Sequence, residues 1–398
     1  MNITVQKFGG SSVASSEKIL KIADKIASKV KAGGKVILVV SAMGKSTDNL
    51  IRLSREITSS PDPRELDMLL TTGEQVSASL VAMALQTKGI KSRSLNGFQA
   101  GVKTTARYNE AKIISFDRKK ILKLMEELDA LVVTGFQGIT EEGEITTLGR
   151  GGSDTSAVAL AAALGVDCEI YSDVAGIYTI DPRLHPGAKK IKYISYDEML
   201  EMASLGAKVL HSRSVEIAKK FGIKIYCGST FSDEEGSFVA NENIVIEQPE
   251  VTGCSLMENQ TQVFIKRLPV DYSLVRRIFE KVALEGLNVD MISIINSESN
   301  LVVSFTIVES KKKHLQAALN KVLYDLKDWD VEYHTGNVKV SIVGIGMRSG
   351  IGVASTFFKA LENIPIKLVT TSEIAISCLI GEQDKQAAVD ALVKEFKL

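Results

Sequence analysis

The run Val36-Ile37-Leu38-Val39-Val40 constrains the fold more than any other feature of this chain. Five consecutive apolar residues put hydrophobic side chains on both faces of an extended strand, which is stable only where both faces are covered. Ala130 to Thr134 and Cys168 to Tyr171 read the same way, and Ile223 to Cys227 is read as the last strand of the series. Helical patterns lie between them. One face carries Ile19, Leu20, Ile22, Ala23, Ile26, Ala27 and Val30; others run from Glu65 to Thr87, Ser156 to Leu164 and Tyr196 to Ser204. Buried strands alternating with helices imply an α/β fold, an open, mostly parallel sheet with helices on both faces. At 398 residues the chain is too long for one core, so two or three domains are expected.

Such sheets bind ligands at the carboxyl ends of their strands, and three loops at predicted strand ends carry chemistry. The first is Val5-Gln6-Lys7-Phe8-Gly9-Gly10-Ser11-Ser12, an extended segment entering two glycines ahead of the first helix. A strand, a glycine turn and a helix start together aim backbone N–H groups and a helix dipole at one point, and Lys7 adds a positive charge. The ligand this suits is a phosphate. The plain alternative is a simple turn with a solvated lysine. The second is Thr147-Leu148-Gly149-Arg150-Gly151-Gly152-Ser153-Asp154, feeding an alanine-rich helix for which Ser153 or Asp154 is the expected N-cap. Asp154 either caps that helix or holds lysines around a phosphate, and Arg150 suits bidentate carboxylate recognition. The third, Ser172 to Arg183, offers aspartates, Tyr178 and an arginine for a nucleotide.

Two common phosphate motifs are excluded. Gly44-Lys45-Ser46 looks like the end of a Walker A loop, but Val39 stands where its first glycine belongs. Asp154 stands where the third glycine of a dinucleotide fingerprint belongs, and an acid there repels pyrophosphate. Glu74, beside Gly73 in an apolar stretch, is either a surface acid or a substrate ligand; Lys208-Val209-Leu210-His211 is read as opening another helix.

Charge balance adds a constraint. Lys plus Arg equals Asp plus Glu at 48 each, so nothing favours nucleic acid or an acidic membrane as partner. The four cysteines form no CxxC pair and read as reduced core residues of a cytosolic protein, and the N-terminus lacks a signal pattern. A soluble, cytoplasmic protein is expected.

After about Phe231 the chain changes character and then repeats itself. Val263-Phe-Ile, a helix at 274–284, Leu287 to Ile292 and Leu301 to Val308 form one unit; Val340-Ser-Ile-Val, a helix at 353–361, Ile364 to Val369 and Ile374 to Ile380 form another. Phe279 falls on Phe357, Val289 on Ile366 and Ser297-Glu298 on Ser372-Glu373. Each copy reads as a ferredoxin-like βαββαβ unit, of a kind that binds a small ligand or joins chains.

These motifs in this order resemble monofunctional bacterial aspartate kinases, members of the amino-acid kinase family with tandem ACT domains. The matching stretches are Lys7-Phe-Gly-Gly-Ser-Ser12, Val40-Ser-Ala-Met43 with Thr47, Thr72-Gly-Glu74, Gly135-Phe-Gln-Gly138, Leu148 to Asp154, Ser172 to Arg183 and Gly206-Ala-Lys-Val-Leu-His211. The resemblance implies a catalytic domain over 1–235 and a linker over 236–260 that offers a strand to the second ACT unit. ACT domains would follow over 261–336 and 337–398, with no second catalytic domain. It implies transfer of the γ-phosphoryl group of ATP, with Mg²⁺, to the β-carboxylate of L-aspartate, the entry step to lysine, threonine, methionine and isoleucine synthesis. Lys7, Asp154 and Lys208 would be catalytic. Thr47, Glu74, Arg150, Gly151, Gly152 and Ser153 would hold aspartate, Glu74 through its amino group. Lys7, Phe8, Gly9, Gly10, Ser172, Asp173, Tyr178, Arg183, Lys208 and Val209 would hold ATP, and no protein metal cage is expected. The ACT pair implies a feedback amino acid, with lysine expected from Val289, Asp290, Ser372 and Glu373, and assembly into a homo-oligomer.

Two departures stand out. Ser212 replaces the family's usual proline at the start of a helix, and Arg267-Leu-Pro-Val-Asp-Tyr272 lacks the glycine that the second unit keeps in Arg348-Ser-Gly-Ile-Gly-Val353. The second departure bears on effector binding at the first unit. Rival readings are another amino-acid kinase, which lacks the ACT pair, and an inactive amino-acid sensor, which would have no need of Lys7, Arg150, Asp154 and Lys208.

Overall fold

The computed structural model describes residues 2–241, 249–296, 300–326 and 328–398. The Ser297-Glu298 pairing and part of the 236–260 linker lie outside them. The chain divides into two compact units. Unit 1 comprises 1–178, 190–204 and 208–247; unit 2 comprises 179–189, 205–207 and 248–398.

Unit 1 begins β1 (Ile3–Phe8), α1 (Ser16–Lys31), β2 (Lys35–Val40), α2 (Ser46–Ile57), α3 (Pro63–Leu70), α4 (Thr72–Thr87), β3 (Ser92–Leu95), β4 (Lys103–Thr104) and β5 (Ile113–Ser115). It continues α5 (Arg118–Glu127), β6 (Ala130–Thr134), β7 (Gln137–Ile139), β8 (Ile145–Thr147), α6 (Gly152–Leu164), β9 (Cys168–Ser172), β10 (Ile177–Tyr178), β11 (Lys190–Ile191) and β12 (Tyr193–Ser195). It closes with α7 (Tyr196–Ser204), α8 (Ser212–Phe221), β13 (Ile225–Ser229) and β14 (Ser237–Ala240).

Eight strands form the main sheet in the order β12-β14-β13-β9-β1-β2-β6-β3. From β13 to β3 every neighbouring pair is parallel. Val36 to Val40 are fully buried, as a strand covered on both faces requires. One face packs Phe8, Leu38, Val40 and Val132 against Ile19, Ile22 and Ile26 of α1 and Val81 and Leu85 of α4. Helix α6, with α8 packed on it, covers the other. Strand β1 is flanked by β2 and β9, so the carboxyl ends of all three open on one edge, at the point where chain order switches sides. A small sheet, β5-β4-β7-β8, includes the hairpin predicted around Glu141 to Glu144.

Several local expectations change. Strand β13 is not the last: β14 returns antiparallel beside it, because Val239 buries fully against the sheet edge. The 65–87 pattern is two helices broken at Thr71, where Thr71 and Thr72 turn their hydroxyls back onto Met68 and Leu69 carbonyls. By length and composition alone Pro63–Thr87 would cross a membrane, but 56% of its most apolar window is buried inside the protein, as in a core helix. Lys208 to His211 precede α8, which opens at Ser212, a first-turn position that also tolerates proline.

Unit 2 contains β15 (Gly253–Leu268), α9 (Tyr272–Leu284), β16 (Asp290–Asn296), β17 (Leu301–Val308), α10 (Lys312–Val322), β18 (Asp330–Val343), α11 (Val353–Ala360), β19 (Leu368–Thr371), β20 (Ala375–Gly381) and α12 (Lys385–Phe396). They form one antiparallel sheet, β16-β17-β15-β18-β20-β19. The two long strands serve both repeats. The C-terminal part of β15 starts the first βαββαβ unit, while Gly253 to Met257 pair with Lys339 to Val343 as the last strand of the second. Helices α9 and α10 cover Val263, Val303 and Phe305; α11 and α12 cover Val340, Ile376 and Cys378. All four cysteines are free and buried, each on a strand.

Candidate active site

The site is built on the carboxyl edge of the parallel sheet. Lys7 alternates with the buried Gln6 and Phe8 on β1 and turns onto the face covered by α6. Its Nζ lies 2.7 Å from Asp154 Oδ1, with only 11% and 13% of the two side chains exposed. The contact is an ion pair without hydrogen-bond geometry, since Oδ1 has no hydrogen-bond partner among the described residues. Asp154 stands in the first turn of α6, where the positive end of the helix dipole favours a carboxylate.

The loop that starts α6 departs from expectation. Neither Ser153 nor Asp154 is the N-cap. Gly151 holds that place with φ +67, so the helix begins two or three residues earlier in the glycine run. A Cβ on Gly151 would overlap the His211 ring, so the close approach needs glycine. Ser153 is buried against Gly135 at the end of β6, while Arg150 remains exposed on the loop.

The glycine turn after β1 is also different. Ser11 to Ser15 separate Gly10 from α1, whose N-cap is Ser15, so α1 does not aim its dipole at the glycines. The Gly9 amide donates to the Tyr171 carbonyl at 3.2 Å. It is therefore spent on joining β1 to β9 and is not free for a phosphate; the helix terminus nearest Lys7 is that of α6. Gly10 fits tightly under the next loop: a Cβ would sit 2.8 Å from the Ala42 carbonyl oxygen, and the Gly44 amide donates to Gly10 O at 3.0 Å.

That 41–47 loop is held from below by α4. Ser77 Oγ donates to Ser41 O at 2.7 Å, and the Ala42 amide donates to Glu74 Oε1 at 3.0 Å. Glu74 is 3% exposed, which removes the surface-acid alternative. Its Oε2 is buried without a hydrogen-bond partner among the described residues, and burial pushes its pKa up to about 7, offset in part by the Ala42 amide. A carboxylate so placed would gain most from a cation brought by a ligand. Thr47, in the first turn of α2 directly after this loop, is half-buried.

On the other side of β1, Ser172 ends β9 with its Oγ accepting from the Val174 amide. Asp173 is exposed, and Tyr178 lies half-buried on β10 paired with Lys190 of β11. Arg183 belongs to the second unit, where it makes a two-point pair with Asp181 at 3.0 and 2.6 Å. Lys208 and Val209 sit on the approach to α8, Lys208 exposed. In unit 2, Val289 packs on the first apolar core, Asp290 opens β16, and Ser372 and Glu373 form the exposed turn between β19 and β20.

Three features escaped the sequence reading. Thr230, just past β13, donates its amide to Ser172 O at 2.8 Å and shares a 2.6 Å hydrogen bond with Ser12. A hydroxyl pair two hundred residues apart leaves no local signal, although small hydroxyl residues at a strand end are a hint. Thr134 Oγ1, at the end of β6, is buried without a hydrogen-bond partner among the described residues. His211 closes the Gly206–His211 motif, which by itself implies no role for it. Its ring packs on Gly151, burial holds its pKa below the ordinary value, and its Nδ1 has no partner among the described residues.

A buried lysine–aspartate pair, a glycine-rich helix entry and hydroxyls at several parallel strand ends define a phosphoryl-transfer enzyme of the amino acid kinase class. Residues 2–229 match the amino acid kinase family and 340–396 an ACT domain. The chain is 46% identical over 403 residues to an aspartokinase of Bacillus sp. (strain MGA3), covering all of this chain and 98% of that one. It is 44% identical over 401 residues to aspartokinase 2 of Bacillus subtilis, with 100% and 98% covered. Its fold superposes on Escherichia coli aspartokinase III in complex with aspartate and ADP with TM-score 0.83 at 25% identity, all of both chains covered. The chain belongs to the aspartokinases.

Proposed function

We propose that this aspartokinase transfers the γ-phosphoryl group of ATP to the β-carboxylate of L-aspartate, giving 4-phospho-L-aspartate. The observation that carries the reading is the buried Lys7–Asp154 pair at the carboxyl edge beside β1. A carboxylate is already a nucleophile, so the reaction needs no general base. It needs two anions brought together and the charge of the transferring group neutralised. Lys7, held by Asp154, supplies a preorganised cation for that charge, with Lys208 joining when nucleotide is bound. Phe8, Gly9 and Gly10 form the wall beneath the phosphates, with Gly10 rather than Gly9 offering its amide. Ser172, Asp173, Tyr178 and Val209 hold the nucleotide.

Aspartate is read by groups of opposite character. Arg150 clamps a carboxylate, the backbone of Gly151 and Gly152 and the hydroxyls of Thr47 and Ser153 complete its shell, and Glu74 accepts the amino group. The unpartnered, buried Oε2 of Glu74 supports that last assignment. Mg²⁺ enters as part of the nucleotide substrate. Among the described residues no group of three or more His, Cys, Asp or Glu is arranged to hold a metal ion, so phosphate oxygens and water would supply most of its ligands.

The ACT pair gives feedback control, with lysine as effector at Val289, Asp290, Ser372 and Glu373, in a cytoplasmic homo-oligomer. The support is a TM-score of 0.76, at 25% identity, to E. coli aspartokinase III in complex with lysine and aspartate. The deciding experiment supplies ATP, Mg²⁺ and L-aspartate with hydroxylamine to trap the acyl phosphate. Aspartyl hydroxamate is the expected product. Its absence, with lysine still bound, would sink the kinase reading and leave a sensor.

A further inference from the structure

Lys339 is 4% exposed, a rare place for a lysine, and it stands on the face of β18 opposite the apolar core of the second repeat. Burying an ammonium there requires a partner. The partner is Asp290, which opens β16 in the first repeat, so the contact runs from one repeat to the other. Asp290 has both carboxylate oxygens engaged. Oδ1 accepts the Met291 amide at 2.8 Å, Met291 itself having a left-handed φ of 49°, and Oδ2 receives Lys339 Nζ. Yet 43% of the Asp290 side chain is exposed, so the acid is open to solvent on the side away from Lys339.

The second repeat shows why this position matters. With Val289 on Ile366, Asp290 falls on Lys367, whose Nζ donates to Asn337 Oδ1 at 2.6 Å, two residues before Lys339 on the same strand. Asp290, which opens edge strand β16, and Lys367, just before edge strand β19, thus both reach polar side chains of β18 and carry opposite charges. Asp290 is the member of the pair that suits the ammonium of an amino acid, and a cation of the chain already sits on it.

We propose that Lys339 is a built-in competitor for cationic effectors at Asp290. This rests on the reading of the first ACT unit as an amino-acid effector site. A lysine effector places its ammonium on Asp290 by displacing Lys339, whose neighbouring neutral acceptor, Asn337 Oδ1, is taken by Lys367. Lys339 therefore sets how weakly the chain answers lysine.

The test is calorimetric titration of the full chain with L-lysine, comparing wild type with Lys339→Met and, as a variant that keeps a polar side chain if methionine fails to fold, Lys339→Gln. Removing the competitor should tighten lysine binding at least tenfold, and adding Asp290→Asn to either variant should abolish the gain. Wild type binding lysine with neither variant tighter would overturn the competitor and leave the effector reading intact. Binding by the variants alone would support the competitor and show that wild type is closed to lysine. No binding by any of them would overturn both.

Discussion

The two units differ in how often a buried polar group is left without a partner. Six buried side-chain atoms lack a hydrogen-bond partner among the described residues; those on Gln6, Glu74, Thr134, Asp154 and His211 belong to the kinase unit, and only Thr261 belongs to the ACT unit. Yet the ACT unit buries Gln262, Ser304, Thr306, Asn337, Lys339, Ser341 and Ser377 on its strands. There the polar groups satisfy one another: Ser341 with Ser377 at 2.7 Å, Thr306 with the Asp290 carbonyl at 3.1 Å, Lys339 with Asp290. Asp154 is compensated by its ion pair with Lys7; an unsatisfied buried polar atom costs about 1–3 kcal/mol, so a fold keeps one where a ligand will meet it. The orphaned atoms of the first unit read as a site; the pairs of the second hold each repeat's strands together, and Lys339 with Asp290 joins one repeat to the other.

Removing Lys7 breaks the comparison hardest. Lys7→Ala should lower hydroxamate formation by roughly 10²–10³-fold, the typical cost of losing one preorganised charge. It also strands Asp154, so some thermal stability should go with it. The double variant Lys7→Met/Asp154→Asn separates the effects: stability should return while activity does not. If activity returns with stability, the pair is structural and the first unit is no different from the second.

Glu74→Gln tests the orphan oxygen. Because the folded-state pKa of Glu74 is raised from 4.5 to about 7, the folded chain keeps a proton that the unfolded chain loses between those values. Stability therefore falls as pH rises through that window, and glutamine should flatten the slope. Aspartate's ammonium stabilises the ionised acid, so the KM for aspartate in wild type should fall as pH rises through 7. In Glu74→Gln it should be pH-independent there and raised about 10–100-fold, the loss of one charged hydrogen bond. An unchanged KM would move the amino-group site elsewhere.

The parallel sheet was legible because Val36 to Val40 and Ala130 to Thr134 can be stable only when buried on both faces, and the ACT repeat because its apolar spacing recurs. Backbone partners were not legible. That Gly9 spends its amide on Tyr171 depends on β9 lying beside β1, and that Gly151 caps α6 depends on the His211 ring packed against it. Side chains meeting across long separations, such as Lys339 with Asp290 or Thr230 with Ser12, leave no periodic trace. Asp290 was singled out as an acid, and its internal cation went unread because a lysine on a strand reads as solvent-facing.

The smallest expected effect lies at the register shift in the two long strands that the repeats share. Strands β15 and β18 turn at Asn259 and Gly336, both left-handed, with φ 56 and 68, beside the Gln260–Asn337 pairing. Open space surrounds Gly336, so an added methyl meets nothing, and only backbone strain is tested. Gly336→Ala should destabilise the ACT unit by about 1 kcal/mol, and Gly336→Asn by less, since asparagine tolerates that conformation. Trp329, the chain's single tryptophan, packs on the first ACT core and reports the transition by fluorescence in urea. If alanine costs nothing, the register shift is not fixed by these residues. The mutual satisfaction of the polar face, Lys339 on Asp290 above all, must then hold the repeats together.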